Sequence, residues 1–366
     1  MRIGITGIEG LIGWHLHAYL HTRPGIDICG AGRASFSSKN LLEQFVRNCD
    51  VVVHLAGVIC GDEQILIETN IALTRALIEA MEQTDRRPHV LFASSTHIHR
   101  NTAYGRSKQA CTDLWNNWAR DSGACFSNLI LPNVFGEGGK PFYNSVVSTF
   151  CFQLANGQEP QIINDIQMQQ LHAQTLARTI YDIIIEKRCG DLQTPGQQVK
   201  VSGLLDRLRF MDAAYRIRHE IPRFDSGFDL ELFNTLRSYY FPHIYPVSID
   251  LKKDSRGELF EAVKSLGSGQ VFISHTRPGI TRGNHYHLSK VERFFVLQGR
   301  AEIRLRRLFS KQVYSFKVNG ATPTYIDMPT LYTHSITNIG SDDLITLFWS
   351  HEIFDPDNPE TYPEAV

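Results

Sequence analysis

Several features that mark common protein classes are missing from this sequence. Lys and Arg together number 37 and Asp and Glu 38, a formal net charge of −1, so no overall basic field attracts nucleic acid or an anionic membrane surface. No apolar run reaches the ~18 residues that a transmembrane helix needs. The apolar start is interrupted by Glu9 and by glycines, which does not fit a signal peptide. We therefore predict a cytoplasmic protein with no nucleic-acid or membrane partner.

Cysteine is also sparse, and its spacing is not that of a cross-linked protein. The sequence has 7 cysteines, an odd number, and none lies beyond Cys189. No two of them are separated by just two residues, the spacing of metal-binding and redox pairs. This pattern predicts free thiols and no disulfide framework.

The chain is long enough for two domains. It has 366 residues, whereas a single core rarely grows beyond ~250–300 residues. In its first part, strand-like and helix-like patterns alternate, which predicts a Rossmann-type doubly wound parallel sheet. The alternating segments are residues 2–6, 11–20, 50–56, 71–83, 89–94 and 108–120.

The pattern changes near residue 243. Residues 241–246 hold two prolines and predict a linker. Beyond them, short strand-like runs are separated by glycine turns, which favours an antiparallel barrel or sandwich. We predict an α/β domain over residues 1–243 and an all-β domain over residues 244–366, so the fold class is α/β plus all-β.

Three glycines close to the N-terminus favour a dinucleotide site. Gly7, Gly10 and Gly13 follow a short apolar strand and precede a helical pattern. In a Rossmann turn of this kind, the first glycine permits the tight turn and the second lets the backbone approach a pyrophosphate. The third lets the helix and the strand pack closely. The alternative is a turn that is rich in glycine only for packing.

Two residues bear on which dinucleotide binds. Asp27 lies 20 positions after Gly7, about where an acid binds the ribose of NAD, but it falls at the start of the predicted second strand, away from the cofactor. Arg33 follows the end of that strand, where a guanidinium can bind a 2′-phosphate. We favour NADPH; the alternative is that Arg33 is only a solvated loop residue.

A serine, a tyrosine and a lysine make up a candidate catalytic group. Tyr104 and Lys108 are four residues apart, which places them on one helical face. We expect the nearby ammonium to lower the phenol pKa, so that the tyrosine exchanges a proton with a carbonyl or alcohol oxygen. Ser95, at the end of the preceding strand, would polarise that oxygen, with Ser94 and Thr96 as alternatives. Ser95 and Tyr104 are only nine positions apart, which requires a tight loop.

The C-terminal part contains four residues with metal-ligand chemistry. His285 and His287 are two apart, so on a strand they point to the same side, and Glu292 can return on the neighbouring strand. His334 can come from an opposite hairpin. Three imidazoles and one carboxylate suit a divalent Zn, Fe, Mn or Ni ion. The spacing resembles the cupin signature, whose fold is a double-stranded β-helix or jelly-roll barrel; the alternative is a cupin that uses these histidines without metal.

The first half resembles the extended short-chain dehydrogenases. It shares with them the Gly-x-x-Gly-x-x-Gly turn and the Tyr-x-x-x-Lys pair. The resemblance implies that Leu55, Ala56 and Gly57 form the strand-end turn beside the cofactor. It also implies that Asn70 is the family's helix asparagine, although Asn70 could equally be a plain helix cap.

Over essentially its whole length, the sequence is similar to the bifunctional capsule and O-antigen biosynthesis enzymes of the CapF type. The similarity implies a zinc cupin that epimerises C3 of a UDP-4-keto-2-acetamido-2,6-dideoxyhexose and an NADPH-dependent domain that reduces C4. The product would be UDP-2-acetamido-2,6-dideoxy-L-talose, on the route to UDP-N-acetyl-L-fucosamine. The stretches that carry the resemblance are residues 54–58, 132–136, 140–141, 143–150, 279–292, 354–356 and 358–359.

The same resemblance extends to substrate binding and assembly. It implies that Asn133 and Asn144 border the sugar-nucleotide site and that the protein is a homo-oligomer, a dimer or a tetramer. Lys290 and Tyr332 are plausible neighbours of the metal cluster. One alternative is a single-activity nucleotide-sugar 4-reductase, similar to dTDP-4-dehydrorhamnose reductase, whose cupin only dimerises or regulates. Another is a non-enzymatic sugar-nucleotide sensor, against which the intact Tyr-x-x-x-Lys pair argues.

Overall fold

The computed structural model describes residues 1–366 and divides them into two compact units. The first comprises residues 1–149 and 162–201, and the second comprises residues 150–161 and 202–366. None of the helices combines the length with the hydropathy that crossing a membrane requires.

Strands and helices alternate along the first unit, as predicted. The strands are β1 (Arg2–Thr6), β2 (Asp27–Ala31), β3 (Val51–His54), β4 (His89–Ala93), β5 (Phe126–Ile130), β6 (Asn133–Phe135), β7 (Gln167–His172), β8 (Gly190–Gln193) and β9 (Gln197–Lys200). The helices are α1 (Leu11–His21), α2 (Arg33–Phe36), α3 (Lys39–Arg47), α4 (Glu63–Gln83), α5 (Ala103–Ser122), α6 (Val146–Ala155), whose residues from 150 onward are grouped with the second unit, and α7 (Ala173–Glu186).

Six of these strands form one parallel sheet in the order β2-β1-β3-β4-β5-β8. The central strand β3 is buried along its whole length, as expected for a parallel sheet that is covered on both faces. The carboxyl ends of parallel strands meet at one edge of a sheet, which is where ligands bind in this type of fold. The loops that follow β1, β3 and β4 therefore converge there, and they carry Gly7, Leu55 and Ser95.

Two helices begin earlier than the sequence pattern predicts. They start at residues 63 and 103 rather than near 71 and 108. The caps explain the difference, because the side chains of Asp62 and Thr102 each accept a hydrogen bond from the backbone N–H three residues ahead, at 3.0 and 3.1 Å. Tyr104 and Lys108 consequently both lie near the start of α5.

The prediction that the cysteines are all free thiols is wrong. Cys125 and Cys189 form a disulfide, with their Cα atoms 5.6 Å apart. Each stands just before a strand, and these strands, β5 and β8, pair in parallel with Ser127 opposite Gly190. The sheet register thus brings together two cysteines whose separation of 64 residues leaves no local signal in the sequence.

The second unit contains short helices followed by strands. Its helical elements are α8 (Val201–Asp212), a π-helical turn (Ala213–Ile217) and α9 (Gly227–Ser238). Its strands are β10 (Glu220–Ile221), β11 (Val247–Ser248), β12 (Lys252–Asp254), β13 (Gly257–Leu259), β14 (Lys264–Ser265), β15 (Gln270–Thr276), β16 (Thr281–Tyr286), β17 (Glu292–Gln298), β18 (Arg300–Arg307), β19 (Val313–Asn319), β20 (Thr324–Met328), β21 (Tyr332–Asn338), β22 (Leu344–Ser350) and β23 (Tyr362–Pro363).

Two five-stranded antiparallel sheets make up most of this unit. Their strand orders are β11-β20-β17-β22-β15 and β19-β18-β21-β16-β23. Both contribute side chains to one apolar core, for example Phe295 from the first sheet and Ile303 from the second. The predicted fold class, a Rossmann-type parallel sheet followed by an antiparallel all-β region, is confirmed.

The segment that was expected to link the two domains is packed into the second unit. Phe241 and Tyr245 are buried in its apolar core. Upstream of them, Tyr215 of the π-helical turn donates a hydrogen bond to Asp327 of β20 at 2.6 Å. Residues 202–243 are thus grouped with the all-β region. The predicted domains, residues 1–243 for the reductase and residues 244–366 for the cupin, remain a prediction about which part of the chain carries which activity.

A buried ion pair joins two strands of the second unit and leads to a stability prediction. Arg293 and Asp327 are paired by two hydrogen bonds of 2.7 and 3.0 Å, with both side chains almost fully buried. Asp327→Asn leaves a buried guanidinium without its counter-charge, so we expect a loss of about 3–5 kcal/mol, measured by urea denaturation. Asp254→Asn is the control, because its pair with Arg256 lies at the surface and should matter little. Equal stability of the two variants would contradict this account.

Candidate functional site

The glycine turn has the geometry that a dinucleotide requires. Gly7 has a φ of +69°, which side chains disfavour, and its N–H donates to the Ala31 carbonyl at 3.1 Å. A Cβ on Gly13 would lie 2.3 Å from the Gly7 carbonyl oxygen, so helix and turn pack in contact. Gly10 caps α1 without any side-chain bond. The first N–H groups of α1 are thereby left for an anion.

The turn after β3 lies against the glycine turn. The Thr6 hydroxyl accepts hydrogen bonds from the backbone N–H groups of Leu55 and Ala56, each at 3.1 Å. A Cβ on Gly7 would lie 2.9 Å from the Ala56 nitrogen. Leu55 and Ala56 therefore border the glycine turn, and Gly57 follows them in the same loop after β3.

Asn70 is not a helix cap, because it lies well inside α4, which Asp62 caps. Its side-chain oxygen accepts from the Val58 N–H at 2.7 Å, and its nitrogen donates to the Val58 carbonyl at 2.9 Å and to the Ser107 hydroxyl at 3.1 Å. A Cβ on Gly57 would lie 3.0 Å from the Asn70 side-chain oxygen. Asn70 thus holds the loop after β3 against α5.

Arg33 and Asp27 lie at opposite ends of β2. Asp27 begins the strand and pairs with Arg2 at 3.3 Å on the surface. Arg33 opens α2 two residues after the strand's last residue, Ala31, whose carbonyl contacts the Gly7 N–H. Because the end of β2 contacts the glycine turn, Arg33 follows the end of the strand that meets the turn, and Asp27 lies at the other end. Arg33 is also exposed.

Ser95, Tyr104 and Lys108 are brought together at the end of β4. The Ser95 side chain is close enough to Tyr104 to lower the pKa of its phenol, and the Lys108 ammonium lies 5.6 Å from the centre of the Tyr104 ring. Among the alternatives, Thr96 is exposed, and the Ser94 hydroxyl is buried without a hydrogen-bond partner. The geometry therefore favours Ser95 as the serine of this group.

The short connection between Ser95 and Tyr104 depends on a glycine. A Cβ on Gly105 would lie 2.3 Å from the Arg100 carbonyl oxygen and 2.6 Å from that of His97. Because Gly105 has no side chain, the chain can fold back within these few residues. This is how the tight loop that the spacing requires is accommodated.

The phenol pKa moves in the direction opposite to the one expected. Burial raises the pKa of Tyr104 to about 12, although the neighbouring Ser95 hydroxyl opposes this. Burial also lowers the pKa of Lys108 to about 8, and its ammonium donates to the Ala93 carbonyl at 2.7 Å. Near pH 7, Tyr104 therefore holds its proton and Lys108 is mostly charged. A protonated tyrosine can act as an acid toward a carbonyl oxygen.

The two candidate substrate residues lie in different surroundings. Asn133 begins β6, and its side-chain nitrogen is 3.3 Å from the Gln169 carbonyl. Asn144 is exposed in the segment before α6. Beside it, Phe142 and Tyr143 are also exposed, so this segment offers amide and aromatic groups to solvent.

In the second unit, the four predicted metal ligands form one cluster. The ligand atoms of His285, His287, Glu292 and His334 all lie within 4.8 Å of one another. His287 Nε2 is 2.9 Å from a Glu292 carboxylate oxygen, and His334 Nε2 is 3.6 Å from the same oxygen. The cluster is buried apart from His285, which is partly exposed.

Strand pairing explains how these residues meet. His285 of β16 lies opposite His334 of β21, next to a bulge in which Asn284 has a φ of +57°. His287 follows one residue after the end of β16, and Glu292 is the first residue of β17. The turn between β16 and β17 therefore returns the carboxylate to the histidines.

The residues fit a divalent cation. His334 Nε2 is buried with no hydrogen-bond partner, which is costly unless a ligand takes its lone pair. His287 Nδ1 is hydrogen-bonded to the Glu360 carbonyl at 2.6 Å, so that Nε2 is the nitrogen turned to the cluster. Burial works against ionisation, but His287 and His334 hold the pKa of Glu292 well below its ordinary value. A carboxylate and imidazoles are ligand types that zinc takes.

Comparison with known proteins finds a family match for each of the two parts of the chain. Residues 3–187 match the NAD dependent epimerase/dehydratase family, and residues 252–362 match the polysaccharide biosynthesis C-terminal domain. A UDP-2-acetamido-2,6-beta-L-arabino-hexul-4-ose reductase from Pseudomonas aeruginosa is 32% identical over 377 residues, covering 100% of this chain and 99% of its own length. The chain belongs to the NAD dependent epimerase/dehydratase family.

Some solved structures are similar to this chain over its whole length, and others are similar over only part of it. The capsular polysaccharide assembling protein CapF from Staphylococcus aureus is 29% identical, with a TM-score of 0.64 and 100% of both chains covered. RMD from Pseudomonas aeruginosa, complexed with NADPH, is 20% identical with a TM-score of 0.53, and 58% of this chain and 84% of that chain are covered; this similarity shows the fold alone. The predicted resemblance to capsular polysaccharide nucleotide-sugar enzymes is confirmed.

The first unit of this epimerase/dehydratase family member also holds a buried polar network that sequence motifs do not reveal. His15 Nε2 contacts the Glu137 carbonyl at 3.0 Å, and His172 Nε2 contacts a Glu137 carboxylate oxygen at 2.9 Å. Burial lowers the pKa of His15 to about 4, so its imidazole is neutral at pH 7. The network joins α1 to the segment that follows β6. Its members are too far apart in the chain to leave a local signal.

Lys290 and Tyr332 are occupied by other contacts. The Lys290 ammonium donates to the Pro359 carbonyl at 2.6 Å and lies 3.4 Å from a Glu352 carboxylate oxygen. The ring of Tyr332 packs on Phe241, and burial raises its pKa to about 12. The contacts described for Lys290 and Tyr332 are thus with residues outside the four-residue cluster.

Proposed function

We propose that this chain is a bifunctional nucleotide-sugar enzyme. Its all-β unit, a cupin, inverts C3 of a UDP-4-keto-2-acetamido-2,6-dideoxyhexose, and its Rossmann-type unit reduces the C4 ketone with NADPH. The product is UDP-2-acetamido-2,6-dideoxy-L-talose, on the route to UDP-N-acetyl-L-fucosamine. The observation that carries the proposal is that one chain holds a Ser95–Tyr104–Lys108 group and, in its other unit, a buried three-histidine, one-carboxylate cluster.

The relatives support the choice of substrate. The Pseudomonas aeruginosa protein, which is matched end to end, is named as a UDP-2-acetamido-2,6-beta-L-arabino-hexul-4-ose reductase, so its named substrate is a UDP-linked 2-acetamido sugar with a ketone at C4. A ketone at that position acidifies the hydrogen on the adjacent carbon C3. The same intermediate can therefore serve an epimerase and a reductase.

In the reductive half, the residues of the first unit deliver a proton. Bound NADPH supplies the hydride that goes to C4. The ketone oxygen gains negative charge as the hydride arrives, and Tyr104 transfers its phenolic proton to it. Ser95 donates a hydrogen bond to the same oxygen, and the nearby charge of Lys108 stabilises the phenolate that remains. The ketone becomes an alcohol, and solvent returns a proton to Tyr104.

In the epimerising half, the C3 hydrogen leaves as a proton that passes to solvent, and a proton from solvent returns to the opposite face. A divalent cation, zinc in our proposal, supplies a positive charge that stabilises the negative charge left behind when the proton departs. His285, His287, Glu292 and His334 hold that cation. Burial of the cluster limits water there, which strengthens each of these electrostatic interactions.

Arg33 supports the choice of NADPH over NADH, because it is an exposed guanidinium beside the glycine turn. We expect Arg33→Ala to weaken NADPH binding by the ~1.5–3 kcal/mol of a charged hydrogen bond, about 10- to 100-fold in Kd. NADH binding should hardly change, because NADH has no 2′-phosphate. Titration of both cofactors measures this, with Arg47→Ala, an exposed arginine of the same unit, as the control. Equal losses for both cofactors would mean that Arg33 is structural.

One incubation tests the proposed function as a whole. The enzyme is given the UDP-4-keto-2-acetamido-2,6-dideoxy sugar and NADPH in deuterated water, and the product is analysed by NMR. We expect deuterium at C3 with inverted configuration and an alcohol at C4. An alcohol at C4 without deuterium at C3 would favour a single-activity 4-reductase whose all-β unit dimerises or regulates. No NADPH oxidation would refute the reductase.

A further inference from the structure

A segment near the C-terminus contacts the loop that carries His287, one of the predicted metal ligands. We call residues 287–290 the ligand loop and residues 359–364, which begin at Pro359, the C-terminal tail. The Glu360 carbonyl is 2.6 Å from His287 Nδ1. Since a carbonyl only accepts, that nitrogen carries a proton, and Nε2, which faces Glu292 at 2.9 Å, is the nitrogen that can bind a cation.

The Glu360 side chain holds the ligand loop by its backbone. One carboxylate oxygen accepts from the N–H groups of Leu288 and Ser289 at 2.8 and 2.6 Å, and from the Ser289 hydroxyl at 3.1 Å. The other oxygen accepts from the Lys290 N–H at 3.1 Å. Four donors from three consecutive residues thus converge on one carboxylate.

The conformation of Glu360 is itself unusual. Its φ is +47°, in the left-handed region that residues other than glycine seldom adopt. Its side chain is only 12% exposed. A residue is kept in such a conformation when its surroundings determine it strongly, and here those surroundings are the hydrogen bonds to the ligand loop.

The rest of the C-terminal tail fixes the neighbouring strand. Pro363 and Tyr362 pair with His285 and Tyr286 of β16, and the Glu364 N–H donates to the Asn284 carbonyl at 2.9 Å. The tail therefore contacts the chain on both sides of the His285–His287 pair.

From these contacts we propose that Glu360 is a positioning residue of the metal centre. Its carbonyl sets the tautomer and direction of His287, and its carboxylate fixes the loop from which His287 projects. The proposal rests on the metal cluster of the proposed function, and it adds that the C-terminal tail is part of the metal site.

Glu360→Gln is the test, because either orientation of the amide places an N–H₂ group against at least one backbone N–H of the ligand loop. Loss of a partner that orients a ligand weakens metal binding by about 10- to 100-fold. We expect that loss in Zn²⁺ competition with a chelator, and altered d–d absorption bands in the Co²⁺-loaded protein. Glu360→Asp, which keeps the charge, should recover part of the affinity.

Glu258→Gln is the matched control, since the Glu258 carboxylate pairs with Lys253 at the surface of the same unit, outside both the ligand loop and the C-terminal tail. Circular dichroism and urea denaturation check that the all-β unit of each variant is folded. If Glu360→Gln keeps the wild-type Zn²⁺ affinity and Co²⁺ spectrum, the inference about Glu360 is wrong, but the proposed function is not affected. Absence of stoichiometric metal in the wild-type protein would overturn the metal centre of the proposed function, and this inference with it.

Discussion

Tyr104→Phe is expected to reduce the rate of NADPH-dependent reduction by about 10²–10⁴-fold, the usual contribution of a general acid. The substitution removes only the phenol oxygen, which carries the proton that the ketone must receive. With a pKa of about 12, Tyr104 is protonated throughout the neutral range, so it is ready to act as an acid in this direction. The measurement is the rate of NADPH oxidation with the keto sugar at saturation.

The variant should still bind NADPH, because the glycine turn and Arg33 are unchanged. Its stability should fall by no more than the ~0.5–1.5 kcal/mol of one neutral hydrogen bond. Tyr181→Phe is the control, since Tyr181 lies on α7 and packs on Arg23, away from this group. Full turnover by Tyr104→Phe would remove Tyr104 from the mechanism.

The relative positions of residues close together in the chain could be predicted from the sequence. The Gly7–Gly10–Gly13 turn and the Tyr104–Lys108 pair are each set by one strand–turn–helix unit or one helical face, so their spacing is a direct consequence of local geometry. The grouping of the four candidate metal ligands needed one long-range step, the pairing of His285 with His334. That step was predictable because few side-chain types bind such a cation, so a histidine such as His334 was a natural candidate for the remaining ligand.

Features that depend on strand register or burial could not be assigned. The Cys125–Cys189 disulfide follows from β5 pairing with β8 in one register, which local patterns do not specify. The pKa of Tyr104 was predicted from its charged neighbour alone. In the structure, desolvation outweighs the other causes and raises it.

The role of the C-terminal tail was beyond sequence reasoning for a related reason. Glu360 lies 73 residues after His287 and acts partly through a backbone carbonyl, which every residue has. The neighbouring Asn358–Pro359 pair carries the family resemblance without any indication of its contacts. In the same way, Phe241 and Tyr245 occur in a proline-rich stretch typical of linkers, yet both are buried in the all-β core.

His287→Ala is expected to abolish solvent exchange at C3 while leaving the reductase site intact. The change removes a ligand and also breaks the contacts of His287 with Glu292 and with the Glu360 carbonyl. A structural or catalytic zinc site that loses one of four protein ligands binds its metal weakly or not at all. Metal content should therefore fall from about one ion per chain to near zero, and deuterium at C3 should fall to background.

The reductase provides the internal control for this variant, because the Rossmann-type unit has its own core and NADPH binding should persist. Slow reduction of the un-epimerised keto sugar would then give a different stereoisomer, visible by NMR. His275→Ala, an exposed histidine of the same unit, should keep both metal and exchange. If His287→Ala loses its metal yet exchanges the C3 hydrogen at the wild-type rate, the cluster is not the epimerase. The all-β unit would then be better explained as a dimerising or regulatory domain.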